Sequence, residues 1–168
     1  MFDYTRYASP LGTLILAAED GALTAIVLEG QKYEARHLAG EGLERESPAL
    51  REAKDWLTRY FAGERPDPAE LRLSPKGTDF QRRVWRELLT IPYGATESYG
   101  AIARRLGSSA RAVGGAVGRN PLLIVVPCHR VLAESGALTG FAAGVENKRW
   151  LLDWEKNTEE RKETRHPA

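Results

Sequence analysis

This chain of 168 residues contains one cysteine, Cys128, one methionine and three histidines. A single thiol excludes an intramolecular disulfide, and one Cys with three scattered His offers no metal-ligand spacing. No apolar run reaches the ~18 residues that a bilayer span needs. The opening "MFDYTRYASP" lacks the basic-then-apolar pattern of a signal peptide. Together these absences lead us to expect a protein of the reducing cytoplasm with no membrane partner. Apolar residues make up 42% and charged residues 28%, which suits a soluble globular chain large enough for one or two small domains.

Net charge is also small, only +1, but it is unevenly spread. Residues 1–71 carry 8 Lys/Arg against 13 Asp/Glu, residues 72–131 carry 10 against 3, and residues 132–168 carry 6 against 7. The basic segment is the one that holds Cys128. A polyanion bound near the thiol and a merely solvated basic surface both fit this distribution.

The fold class expected is α+β. "FDYTRY", "TLILAA" and "LTAIVLEG" read as an antiparallel β-meander joined by the turn signals "SPLG" and "EDGA". A helix should start at a Ser47 cap with Pro48 in its first turn, and Leu50, Ala53, Leu57 and Tyr60 or Phe61 form its apolar stripe. Residues 62–77 hold three prolines and two glycines and read as a linker, which divides the chain into an N-terminal domain over 1–72 and a C-terminal domain over 78–156.

The second half is expected to be mostly helical. Thr78 and Gln81 form a capping box before Phe80, Val84 and Leu88. A second helix runs from a Ser98 cap to a Gly107 stop, and a third begins near Ala110, which together make a helix-turn-helix. Further on, a hairpin is expected around Ser135 and Gly136, then a last helix in "VENKRWLLDWE". The polar tail over 157–168 reads as disordered.

The third helix, "ARAVGGAVGRN", carries too much glycine for its stability, since each one costs roughly 1 kcal/mol relative to alanine. Arg111, Gly114, Gly115 and Gly118 share one face, while Val113 and Val117 point elsewhere. Close helix packing is one use for such a face. The other is nucleic acid, and small residues there suit shape-based contact in a minor groove better than base reading in a major groove.

The thiol lies in "LLIVVPCHRV". Residues 122–126 read as a short buried strand that Pro127 ends, with Cys128 at its mouth. A cysteine attacks as the thiolate, and a neighbouring base or cation lowers its pKa from about 8.5. His129 is the candidate base. Neighbours on an extended chain point apart, so a water relay is expected between them, and several Asp or Glu residues could orient the ring. An inert buried cysteine is the alternative reading.

"FQRRVWRELLTIPYGATESYGAIARRLG", "RAVGGAVGRNP", "VPCHRV" and "GALTGFAAGVENKRWLLDWE" resemble the O6-alkylguanine-DNA alkyltransferases from about Thr78 to Glu155. The first 70 residues resemble that family only in their strand-then-helix, ribonuclease H-like plan. The resemblance implies direct repair: binding to the minor groove of double-stranded DNA, base flipping of an O6-alkylguanine, and irreversible single-use transfer of the alkyl group to Cys128. By the same resemblance His129 acts through water, Glu155 orients it, Asn120 braces the turn, and Tyr99 turns the phosphate and donates to the leaving guanine. Arg111 fills the vacated stack, with Ala112, Gly114, Gly115 and Gly118 along the DNA. Val131, Phe141, Ala142, Ala143 and Lys148 belong to the substrate pocket. No cofactor and no metal are implied, and the chain is expected to act as a monomer. A non-enzymatic alkyltransferase-like sensor of alkylated DNA is the alternative, though such proteins lack the cysteine.

Overall fold

Alternating apolar side chains and tight turns build the first layer of the computed structural model, which describes residues 1–164 and side chains as far as Glu159. Strands β1 (Phe2–Ser9), β2 (Gly12–Glu19) and β3 (Ala22–Leu28) pair antiparallel, as the meander reading expected. Asp20 and Gly21 turn β2 into β3 with φ of 53° and 78°. Leu14, Leu16 and Ala18 face the main core, while Ile15 and Ala17 join Ala25 and Val27 on the opposite face beneath Phe2, Tyr4 and Leu38. A short helix α1 (Glu34–His37) leads to β4 (Gly42–Glu44), which pairs parallel to β1. The meander reading did not include this edge strand, because all three of its residues are exposed and show no period-2 burial.

Helix α2 (Pro48–Phe61) crosses the sheet. Ser47 caps it and Pro48 fills its first turn, and Leu50, Ala53, Trp56, Leu57 and Tyr60 are buried along one stripe. Complete burial of a side chain such as Leu50 or Leu57 stabilises the fold by roughly 1.5–3 kcal/mol.

The expected linker does more than connect. It forms a 3-10 turn (Pro68–Glu70) and then lies along β3, where Leu23 N–H donates to the Arg72 carbonyl and Ser74 N–H to the Leu23 carbonyl, both at 2.8 Å. Further along the same edge Ile26 N–H donates to the Pro121 carbonyl at 2.8 Å, and Leu123 N–H to the Ile26 carbonyl at 3.1 Å. One buried cluster runs from Leu14 to Leu151, so residues on both sides of the linker share a core.

Helix α3 (Asp79–Leu88) starts at the capping box of Thr78 and Gln81. After β5 (Glu97–Ser98), α4 (Tyr99–Leu106) is capped by Ser98 and stopped by Gly107 at φ 64°. Ser109 caps α5 (Ala110–Gly118), which packs on α4 as a helix-turn-helix, with Val113, Ala116 and Val117 inside. Trp85 ties α3 to α5 by donating to the Ala116 carbonyl at 2.8 Å. A two-residue strand β6 (Val131–Leu132) follows, then α6 (Val145–Thr164).

Three expectations need correction. Residues 122–126 are fully buried but are not a strand: only Leu122 bridges to Ile26, and the chain then turns, with Ile124 at φ 72°. Ser135 and Gly136 do form a turn, closed by Ala133 N–H to the Ala137 carbonyl at 3.2 Å, but β6 pairs parallel to β5 instead of to a hairpin partner. The tail is helical through Thr164, because Thr158 is buried, donates to the Trp154 carbonyl at 2.8 Å and meets the Tyr93 hydroxyl. Residues 165–168 of that expected tail lie outside the described residues.

Candidate active site

Asn120 explains why the apolar run turns. Its Oδ1 accepts from Leu122 N–H at 2.9 Å, and its Nδ2 donates to the carbonyls of Val126 at 2.9 Å and Leu122 at 3.3 Å. These bonds satisfy backbone groups that a neighbouring strand would otherwise serve, so an apolar turn can be buried at little cost. Pro127 and a 3-10 turn (Cys128–Arg130) follow, with all three turn residues buried.

Cys128 is only 3% exposed. Burial pushes its thiol up to about 11, because the charged form loses its water; the Asn120 hydrogen bond and the Lys148 ammonium pull the other way and do not prevail. Neighbouring groups do act to lower the Cys128 pKa, but burial, which the sequence does not display, outweighs them. In the unliganded protein the group is a neutral thiol at physiological pH.

The histidine and the acid are coupled below the surface. His129 has no exposed surface, and its Nε2 lies 2.6 Å from Glu155 Oε2, reaching it from the 3-10 turn to α6. Burial lowers the His129 pKa, and the Arg130 and Lys148 cations add to this against the pull of Glu155. A neutral ring facing a carboxylate carries its proton on Nε2. Nδ1 is buried and makes no hydrogen bond with a protein group among the described residues.

Glu155 is 1% exposed yet fully ionised. Burial acts to raise its pKa, but His129 and Arg130 outweigh that and hold it well below the usual carboxylate range. Besides His129 it accepts from Arg130 Nε at 2.7 Å and Nη2 at 3.1 Å, from the Tyr60 hydroxyl at 2.7 Å and from Gly94 N–H at 3.2 Å. The sequence reading anticipated neither Arg130 nor Tyr60. For Arg130 a signal existed, its place in Pro-Cys-His-Arg; for Tyr60 there was none, since its helical stripe only marked it as core.

Tyr99 opens α4 and donates to the Thr139 carbonyl at 3.3 Å. Lys148 reaches the same carbonyl at 3.0 Å, passes 5.8 Å from the Tyr99 ring and exposes no surface. The 139–143 loop is therefore held at its Thr139 end by two side chains.

Tyr99 and Thr139 also line a groove of about 640 Å³. Arg111, Gly114, Gly115 and Gly118 of α5 line it together with Tyr99, Phe141 and Ala142. Ala112 is exposed but does not line it, and Cys128, Val131, Ala143 and Lys148 are buried behind it. Internal packing does not require the glycines. A Cβ at Gly118 would meet nothing within 4 Å, and at Gly114 and Gly115 the nearest atoms are 3.8 and 3.6 Å away. The bare face thus leaves room for something outside the protein. A second wall, unforeseen from the sequence, comes from the N-terminal half. Lys32 N–H donates to the Ala142 carbonyl at 3.1 Å, and Tyr33, at φ 68°, packs under the Arg119 guanidinium at 5.3 Å.

No helix of the described residues is long and apolar enough to cross a membrane. No three His, Cys, Asp or Glu side chains gather as a metal-ligand cluster among them.

This geometry has counterparts among known proteins. Residues 79–157 match the family model described as 6-O-methylguanine DNA methyltransferase, DNA binding domain, and residues 3–75 match its ribonuclease-like domain. The methylated-DNA–protein-cysteine methyltransferase of Mycobacterium bovis is 46% identical over 159 residues, covering 94% of each chain. The constitutive methylated-DNA–protein-cysteine methyltransferase of Bacillus subtilis is 45% identical over 157 residues, 91% of this chain and 94% of that one. A crystal structure of Mycobacterium tuberculosis OGT in complex with DNA superposes with a TM-score of 0.83 at 44% identity, covering 93% of this chain and 94% of that one. With both halves matched, and relatives this similar over nearly their full length, the chain belongs to the 6-O-methylguanine DNA methyltransferase family.

Proposed function

We propose that this protein repairs DNA by direct reversal, moving the alkyl group of O6-alkylguanine onto Cys128. The observation that supports the reading best is the convergence of a lone buried thiol, a neutral histidine on an ionised glutamate, and a groove walled by the glycine face of α5. The glycine face of α5 lies in the DNA minor groove. Flipping a base out of the stack costs a few kcal/mol, and Arg111 at the head of that face fills the gap.

The raised thiol pKa dictates the order of events. Deprotonation accompanies occupation of the pocket: the Cys128 proton passes through a bridging water to His129 Nδ1, while Nε2–H goes on donating to the Glu155 carboxylate. Sulfur attacks the alkyl carbon in line, the carbon–O6 bond breaks, and its electron pair goes to guanine O6. Tyr99 donates a hydrogen bond to the departing base, and His129 gives up the proton it took from the thiol, which ends on guanine. Backbone groups of Val131 and of the loop holding Phe141, Ala142 and Ala143 read the guanine, and Lys148 supports that loop. A thioether offers no leaving group, so each molecule reacts once, as a monomer and without a cofactor. The cytoplasm suits a protein whose function depends on a reduced lone thiol.

The test is to mix the protein with duplex DNA carrying one O6-methylguanine and measure the intact protein mass, with peptide mapping. A gain of one methylene on Cys128, saturating at one per molecule, is expected, and Cys128→Ala should bind the duplex but gain nothing. Tight binding by the wild type with no mass change would refute transfer and favour the sensor reading.

A further inference from the structure

Tyr60 lies in α2, 95 residues before Glu155, yet its hydroxyl ends on Oε2, the same oxygen that faces His129 Nε2. It has almost no freedom to leave. The residue is 1% exposed; its ring stacks on Trp56 at 5.8 Å and meets Phe61 edge-on at 5.1 Å and Tyr93 at 6.0 Å. Its carbonyl accepts from Trp154 Nε1–H at 3.1 Å.

We propose that Tyr60 is a positioning residue for alkyl transfer: by donating to Glu155 Oε2 it shares that oxygen with His129 and keeps the imidazole neutral and aimed to receive the thiol proton. The inference rests on the transfer reading given above and adds to it a part played by the N-terminal half.

Groups from four parts of the chain surround the pair. Tyr60 comes from α2, Tyr93 and Gly94 from the segment after α3, and Arg130 and Cys128 from the 3-10 turn; Lys148 and Glu155 come from α6. Glu155 is the one anion of this set, and every other charged member disfavours an imidazolium. An oxygen that already accepts a strong hydrogen bond is a weaker acceptor for a second donor, so Tyr60 moderates the pull of Glu155 on His129. Burial, reinforced by Glu155, holds the Tyr60 hydroxyl protonated well above the ordinary tyrosine range, so it remains a donor at every working pH. Without it, Oε2 would bind Nε2–H more tightly in the imidazolium, and His129 would be protonated before the thiol could hand over its proton.

Tyr60→Phe keeps the ring and removes only the hydroxyl. We would measure single-turnover transfer from an O6-methylguanine duplex between pH 5 and 9, duplex affinity, and the titration of His129 by NMR. The expected result is a His129 pKa raised by about one unit, the acid limb of the rate profile moved up by the same amount, and unchanged affinity, giving up to roughly tenfold slower transfer on that limb. Trp154→Phe, which removes the hydrogen bond to the Tyr60 carbonyl but leaves the hydroxyl in place, should not move the His129 titration. Incorporation of 3-fluorotyrosine, a stronger donor, should move it down and serves as the test if Tyr60→Phe does not fold. A Tyr60→Phe protein slowed equally at all pH values with His129 unmoved would overturn the proposal, as would an equal shift in Trp154→Phe. If the wild type transfers no alkyl group, the parent reading fails, whereas the His129 titration still decides whether Tyr60 tunes the pair.

Discussion

Cys128 should be a slow thiol in the free protein, and its reactivity toward a small alkylating agent measures how slow. An ordinary cysteine with a pKa of about 8.5 is roughly 24% ionised at pH 8, whereas a group at about 11 is ionised to only ~0.1%. That is a deficit of about 240-fold in thiolate. The more basic thiolate recovers part of it: with a Brønsted slope of about 0.4–0.5, a rise of ~2.5 units raises intrinsic nucleophilicity by roughly 10- to 18-fold. The net expectation is alkylation about 20-fold slower than in the unfolded chain, before the 3% exposure of the residue slows it further. The assay is iodoacetamide labelling read by intact mass between pH 7 and 10.5, with tryptophan fluorescence verifying the fold and a guanidinium-unfolded sample as reference. The folded protein should show a rate climbing close to tenfold per pH unit with no plateau in that range. A plateau by pH 9 would refute the reasoning, because Asn120 and Lys148 would then outweigh desolvation. The linkage has a definite sign. The folded pKa is raised, so this group stabilises the fold below about 8.5, and that contribution is lost as pH rises toward about 11.

Other consequences are equally direct. Glu155 and His129 both have lowered folded pKa values, so their stabilisation is present above their unfolded values and is lost as pH falls below about 6.5 for His129 and about 4.5 for Glu155. Urea midpoints should therefore fall steadily over that acid range, and a flat profile down to pH 4 would contradict the buried pair. Glu155→Gln leaves Arg130 buried without its anion and should cost about 3–5 kcal/mol by chemical unfolding, with transfer nearly abolished. Gly118→Ala enters open space at a helical position, so it should raise stability by about 0.5–1 kcal/mol while weakening duplex binding. Unchanged binding would mean that the bare face is not used. Arg111→Ala should slow repair in duplex DNA far more than reaction with a free alkylated base, and equal slowing of both would remove Arg111 from the flipping role.

The local elements were legible because their determinants are local. Ser47, the Thr78–Gln81 box and Ser98 each cap a helix within three residues of chain, and Gly107 stops one with its own positive φ. The glycine face of α5 was legible for the same reason, since the pitch of a helix sets which side chains align. Three errors share one cause. Residues 122–126 have a strand's composition, but the side chain of Asn120 and the Ile124 turn replace a strand's partners. The extension of α6 depends on Thr158 meeting Tyr93, 65 residues away. The parallel pairing of β6 with β5 depends on where α4 and α5 deliver the chain.

The sequence alone determined the ingredients, since one thiol, a histidine beside it, a basic segment and a side-chain-free helix face follow from residue identity and spacing, and family resemblance made the thiol a reagent. Family resemblance, not spacing, singled out Glu155 among many acids. Only the tertiary structure decided the protonation states. Whether Cys128 is thiol or thiolate, and which groups hold His129 neutral and Glu155 ionised, depends on desolvation and on donors brought together from α2, the loop at Gly94, the 3-10 turn and α6. Burial and converging hydrogen bonds are properties of three-dimensional packing, and a linear pattern carries no measure of either.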